Sequence, residues 1–165
     1  MSRKILSADQ IKKIIQRIAV QILENNCDEE HIILIGIHDQ GYKIAQRILD
    51  AYDVLEIDEK PEIQLISLQI NKANPGDGRI VLDQDKNLII DKPIVIVDDV
   101  LNTSKTLAFT LQFLLTSAIR KVETAVLVNR SHAKFPISAT YTGFELATTL
   151  EDHIEVRIEE GAFLN

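Results

Sequence analysis

The spacing of apolar positions changes along this chain, and each change marks an element. After Ser7, isoleucines at 11, 14, 15, 18 and 22 recur three and four residues apart, the spacing of one helix face. Ser7 is placed to cap that helix, which is expected over 8–26. HIILIGI (31–37) is a short apolar run rich in β-branched residues, the mark of a strand buried on both faces. Gly36 and Gly41 bracket what reads as a tight loop, and YKIAQRILDAYDV (42–54) returns to helical spacing. EIQLISLQI (62–70) alternates in part, as a strand does. NKANPGDGR (71–79) is a turn or mobile loop by its Gly, Pro and Asn content. RIVLDQDKNLII (79–90) reads as a small hairpin turning near Asp85 to Asn87. IVIVDDV (94–100) follows Pro93 and is the most strand-like run of all. A helix over about 103–118 comes next, then the buried strand ETAVLVN (123–129). Two short strand-like pieces, ATYTGF and DHIEVRI, come near the end.

Apolar strands alternating with helices predict one α/β domain over 1–165, with a parallel sheet flanked by helices on both faces. In such sheets ligands sit beyond the C-terminal strand ends. The junction IVIVDDVLNTSKT (94–106) therefore carries the most information. Four apolar residues run straight into Asp98 and Asp99. Two adjacent carboxylates at a strand end are costly unless something pairs with them; sugar hydroxyls or a hydrated Mg²⁺ would do so. The backbone amides from Asn102 to Thr106 then point out of a helix N-terminus, which suits a phosphate. A sugar diol beside a phosphate describes a ribose 5-phosphate. The alternative makes Asp99 and Thr103 helix-capping residues and Asp98 a solvated loop acid.

VIVDDVLNTSKT resembles the phosphoribosyl pyrophosphate (PRPP) binding motif of type I phosphoribosyltransferases. ILIGIHDQGYKIAQRI is similar to that family's strand and pyrophosphate loop. AVLVNRSHAKFPISATYTGFEL is similar to the late strand and hood of one subgroup, the bifunctional pyrimidine operon regulators with uracil phosphoribosyltransferase activity. The resemblance implies the type I fold with a small hood and a β-hairpin, pentosyl transfer between PRPP and a base with Mg²⁺, and a homodimer in the cytoplasm. It gives Asp98 and Asp99 the ribose hydroxyls, with Mg²⁺ held through those hydroxyls or water. Either carboxylate would steady the developing positive charge or relay a proton. Asn102, Thr103, Ser104, Lys105 and Thr106 would hold the 5-phosphate. Ile37, His38, Asp39, Gln40 and Gly41 would form the pyrophosphate loop, and Asn129, Arg130 and His132 would line the base site.

The departures matter as much. The subgroup's phosphate loop usually reads Thr-Gly-Arg-Thr, whereas this chain has Thr103, Ser104, Lys105 and Thr106. Glycine there gives close approach and positive φ; Ser104 gives up some of that freedom but brings a hydroxyl donor. The pyrophosphate loop lacks the family's usual Arg and carries Asp39. That charge repels a pyrophosphate by on the order of a few kcal/mol in a partly desolvated site, unless a Mg²⁺ on Asp39 reverses the sign. Where the subgroup usually has Tyr-Arg-Asp-Asp after this strand, Gln69, Ile70, Asn71 and Lys72 stand here. The closing Arg is absent, with Lys72 or Arg79 as substitutes. Asn129 replaces a usual Asp.

Composition narrows the alternatives. The 18 basic and 25 acidic residues give a net charge of −7. An acidic chain repels nucleic acid and anionic membrane unless its cations cluster; Arg120, Lys121, Arg130 and Lys134 are the one candidate patch. A single cysteine, Cys27, excludes an internal disulfide and a cysteine-built zinc site. No apolar run reaches the length of a membrane span or a signal core. Three functions remain: a phosphoribosyltransferase acting on PRPP and a nitrogenous base, a non-catalytic sensor of nucleoside monophosphate or PRPP, and an RNA-binding attenuator. The net charge disfavours the third.

Overall fold

The computed structural model describes residues 2–149 and 152–165. Its elements run β1 (Arg3–Ser7), α1 (Ala8–Asn25), β2 (His31–Ile37), α2 (His38–Asp53), β3 (Glu62–Gln69), β4 (Val81–Leu82), a 3₁₀ turn (Lys86–Ile89), β5 (Pro93–Leu101), α3 (Lys105–Leu114), β6 (Lys121–Asn129), β7 (Tyr141–Glu145), β8 (Ile154–Arg157) and β9 (Gly161–Leu164). Six strands form a sheet in the order β4-β3-β2-β5-β6-β7. All its neighbours pair in parallel except the edge strand β4.

Both faces of this sheet are covered, which is why β2 and β5 are apolar without alternation. Ile32 and Leu34 of β2 and Val95 and Val97 of β5 face α1 and α2, against Ile11, Ile15, Ile18, Ile22, Ile44 and Ile48. Ile33 and Ile35 of β2 and Ile94 and Ile96 of β5 face α3, against Leu107 and Leu114. The isoleucine stripe of α1 is therefore core. Ser7 caps α1 as expected: its side chain accepts from the Gln10 amide, and the Gln10 side chain accepts from the Ser7 amide. Such a cap is worth about 1 kcal/mol.

The second sheet has the order β1-β9-β8 and joins the two ends of the chain. It is the hood. Its β8–β9 pair is a true antiparallel hairpin. No sequence pattern marked Arg3–Ser7 as a strand, because its partner lies more than 150 residues away.

Three expected boundaries change. The hairpin expected over 79–90 does not form: Val81 and Leu82 pair with Gln69 and Leu68 instead. Asp85 accepts from the Asn87 amide at 2.9 Å and caps the 3₁₀ turn, a local bond that competes with strand pairing. The helix expected over 103–118 is limited to Lys105–Leu114: at its start Ser104 has φ 67 and cannot be helical, and beyond its end the Thr116 and Ser117 amides turn back to Phe113 and Leu114 in i→i−3 bonds. The loop expected between Gly36 and Gly41 is absent, and α2 starts directly at His38, whose φ of 55 turns strand into helix.

Glycine makes that abrupt turn possible. A Cβ on Gly36 would lie 2.4 Å from the Tyr42 Cα, and one on Gly41 would lie 2.6 Å from the Val97 carbonyl oxygen and 3.3 Å from the Asp98 Cα. Gly41 thus lets α2 rest against the end of β5 that carries the acidic pair. Gly41→Ala is expected to destabilise the fold by about 1–3 kcal/mol, the usual cost of overpacking, and to weaken ligand binding by displacing Asp98. Denaturant unfolding within 0.5 kcal/mol of wild type would contradict this packing.

Candidate functional site

The end of β5 opens into a cavity of about 720 Å³. Asp98 and Asp99, the 102–106 segment and residues 154–157 of β8 line it together. Lys72, from the segment after β3, reaches in from the side. Its Nζ donates to Oδ1 of Asp98 at 2.6 Å and to Oδ1 of Asp99 at 3.0 Å. The Asp98 Oδ1 also accepts from the Asp99 amide at 2.9 Å.

Asp98 is 4% exposed. Burial, and then the charge of Asp99, push its carboxyl up to about 7, against the pull of Lys72. Asp99 goes the other way: burial raises it, but the charge and hydrogen bond of Lys72 and the bond with Asp98 hold it below the usual carboxylate range. Burial lowers Lys72, and the two carboxylates more than offset that, so its ammonium is strongly retained.

Residues 102–104 turn the chain from β5 into α3. Ser104, which stands where the resembled motif has glycine, takes the left-handed conformation, a strained choice for a side chain. Its hydroxyl is not a phosphate donor here: it donates to the Ile137 carbonyl at 2.8 Å, and the residue is 3% exposed. The segment 130–137 braces this loop from outside. The Lys134 and Phe135 amides donate to the Thr103 carbonyl at 2.9 and 3.2 Å, and the Arg130 amide to that of Leu101 at 3.0 Å. The Arg130 guanidinium binds Asn102 Oδ1 at 2.8 Å, Thr148 Oγ1 at 2.9 Å and the Thr149 carbonyl at 2.9 Å.

The other expected site residues divide. Of the pyrophosphate loop, only Gln40 lines the cavity. Ile37 is fully buried at the end of β2, Gly41 packs on β5, and Asp39 is exposed in the first turn of α2. Of the base trio, Arg130 lines the cavity. Asn129 bonds to the Ser131 amide and Glu145, and His132 Nε2 contacts the Thr148 carbonyl at 2.6 Å; these three residues tie loops together. Ile70, matched to a closing Arg, is 4% exposed in the core beneath α3. The candidate basic patch is dispersed. Arg120 pairs with Glu29 and Asp91 and Lys121 with Glu123 at one end of β6, while Arg130 is buried at the other.

Glu155 and Arg157 of β8 also line the cavity, paired through two bonds of 2.9 and 3.0 Å. DHIEVRI reads as a strand in the sequence, but its place over the cavity depends on pairing with β9, itself paired with β1, which no local pattern reveals.

Direct ligation of Mg²⁺ by these carboxylates does not fit the pair as it stands; the hold expected through ribose hydroxyls or water would come with the sugar. Among the described residues no three His, Cys, Asp or Glu side chains group as a ligand set, and Lys72 holds one oxygen of each acid.

A strand carrying a buried acidic pair and running on into a helix N-terminus points to a class, and the chain belongs to it: residues 2–160 match the phosphoribosyl transferase domain family. Its relatives include the bifunctional protein PyrR of Staphylococcus aureus, 34% identical over 97% of this chain and 94% of that protein. The bifunctional protein PyrR of Ligilactobacillus salivarius is 31% identical over 97% and 93%. Among solved structures, the hypoxanthine phosphoribosyltransferase of Trypanosoma cruzi superposes with a TM-score of 0.76 over 92% of this chain and 84% of that one, at 16% identity. That of Staphylococcus aureus gives 0.72 over 87% and 77%, at 17% identity. These structures share the fold.

The raised Asp98 carries a pH consequence. The fold holds that proton more tightly than the unfolded chain, where an Asp titrates near 3.9. The stabilisation is full below about pH 4 and is lost as pH rises through about 7. Asp98→Asn should therefore gain stability relative to wild type as pH rises from about 4 to 7. A stability difference that stays flat with pH in paired urea titrations would refute it.

Proposed function

We propose that this protein binds ribose 5-phosphate compounds in the β5 cavity and transfers a phosphoribosyl group between PRPP and a nitrogenous base. The base is a pyrimidine such as uracil, on the strength of the PyrR likeness. The observation that carries the reading is the continuity of three features. A buried acidic pair, a left-handed turn into a helix N-terminus, and a strand of the hood line one cavity.

The chemistry follows from the donors and acceptors. Asp98 and Asp99 accept from the two ribose hydroxyls in charge-assisted bonds. The amides of Ser104, Lys105 and Thr106 hold the 5-phosphate, helped by the helix dipole. The sugar is thereby fixed with its anomeric carbon toward the hood, where β8 covers the base and excludes water. Positive charge develops on the sugar as its bond to the leaving group breaks, and the acidic pair beneath stabilises it. In this family Mg²⁺ accompanies PRPP. The reading also carries the homodimer and the cytoplasmic location that the resemblance implies.

The non-catalytic nucleoside monophosphate sensor keeps a specific support. Lys72 lies on the acidic pair, Gln40 stands where the family has an Arg, and Ile70 is buried where it has another. Each of these weakens the hold on a leaving pyrophosphate and leaves the 5-phosphate site intact. The attenuator has no such support, since its candidate cations are dispersed.

Turnover is accordingly expected to be slow, below the roughly 1–10 s⁻¹ of ordinary enzymes. Gln40→Arg, which adds a cation to the cavity wall, should raise it by about tenfold or more. Pyrophosphate release with a panel of pyrimidine and purine bases measures both. Fast wild-type turnover would contradict the weakened hold. No turnover in either form, with tight monophosphate binding, would select the sensor. Asp98→Asn with Asp99→Asn should weaken monophosphate binding by about 2–4 kcal/mol.

A further inference from the structure

Lys72 is held in place by its own segment. Ile70 anchors one side in the core beneath α3. Next to Lys72, Asn71 Oδ1 accepts from the Ala73 amide at 3.1 Å and the Asn74 amide at 3.2 Å, which fixes the turn. The ammonium that results lies 2.6 and 3.0 Å from the two Oδ1 atoms. A Mg²⁺ ligated by those oxygens would stand about 2.0–2.1 Å from them, in space the ammonium already fills. The two cations cannot share those two oxygens.

The ammonium leaves room for a sugar. It engages one oxygen of each carboxylate, and a carboxylate has two oxygens that accept. It also sets one positive charge against the acidic pair, a task a divalent ion would otherwise perform at this buried position. A ribose diol is neutral, and the phosphate charge goes to the amides of α3. A nucleoside monophosphate therefore brings no need for a second cation at the diol.

We propose that Lys72 is the resident cation of the ribose site: it stands in for a divalent ion, so ribose 5-phosphate ligands bind without metal. It is then a specificity-determining residue. A monophosphate docks beside the ammonium, whereas a metal taking those two oxygens must displace it. This inference rests on the ribose 5-phosphate reading of the cavity.

Two measurements on the full chain test it. The first titrates Mn²⁺ alone, followed by its electron-spin resonance signal. Wild type should bind no Mn²⁺ at the acidic pair, and Lys72→Met should gain one site that Asp98→Asn removes. The second titrates ribose 5-phosphate and uridine monophosphate by calorimetry, in EDTA and in Mg²⁺. Wild-type affinity should agree within about twofold between the buffers. Lys72→Met should bind at least about tenfold more weakly in EDTA, the scale of one charge-assisted bond, and recover in Mg²⁺. Wild-type binding that requires Mg²⁺, a wild-type Mn²⁺ site at the pair, or a Lys72→Met variant unaffected in EDTA overturns the proposal while the cavity reading stands. Absence of binding by either ligand in both buffers overturns the cavity reading and this inference together. Should Lys72→Met fail to fold, the wild-type arms still decide.

Discussion

Burying two neighbouring carboxylates at the end of a strand is the constraint around which this molecule is arranged. Asp98 is 4% exposed, beside a second acid that is also largely covered. In water each would be solvated; here their charges must be met by protein groups or by ligand. Lys72 meets part of the demand, and the rest is left to a ligand with hydroxyl donors. The surrounding structure brings the 72 segment, the 102–106 turn and the hood to that point from three separate parts of the chain.

The sheet sets the height of that point. β5 lies between β2 and β6; pairing with β2 stops at Val97, one residue before the acidic pair, while β6 stays paired with β5 to Leu101. Helix α2 supports the pair from one side through Gly41, which has no side chain to keep it away. The 130–137 segment supports the phosphate turn from the other, through Arg130 and the two amides on Thr103. Rigid support matters because the turn is strained at Ser104; a residue in that conformation stays there only when its neighbours hold it. The Ser104 hydroxyl contributes to that hold by bonding Ile137, at the expense of any direct role on a ligand.

Much of this was readable in the sequence, and the exceptions have physical causes. The β2 and β5 strands were plain because two-sided burial leaves an unbroken apolar run. The α1 helix was plain because Ser7 and its isoleucine stripe agree. The site was legible as far as one contiguous segment carries it: Asp98, Asp99 and the turn to Thr106. Long-range pairing was not legible. β1 exists only through β9, and Glu155 and Arg157 reach the cavity only through that sheet. Expected roles that rested on family position alone shifted with packing: Ile37 and Ile70 are core, and His132 binds backbone. In the sequence Lys72 reads only as a substitute for a missing Arg. Its place on the acidic pair needed the fold, because 26 residues separate it from Asp98.

The central claim is that the turn after β5 and the acidic pair together hold a ribose 5-phosphate. A crystal soaked with ribose 5-phosphate tests it most directly. The phosphate should accept from the amides of Ser104, Lys105 and Thr106, with the sugar diol donating to Asp98 and Asp99. A phosphate bound elsewhere, or a sugar that leaves both carboxylates untouched, would contradict the account.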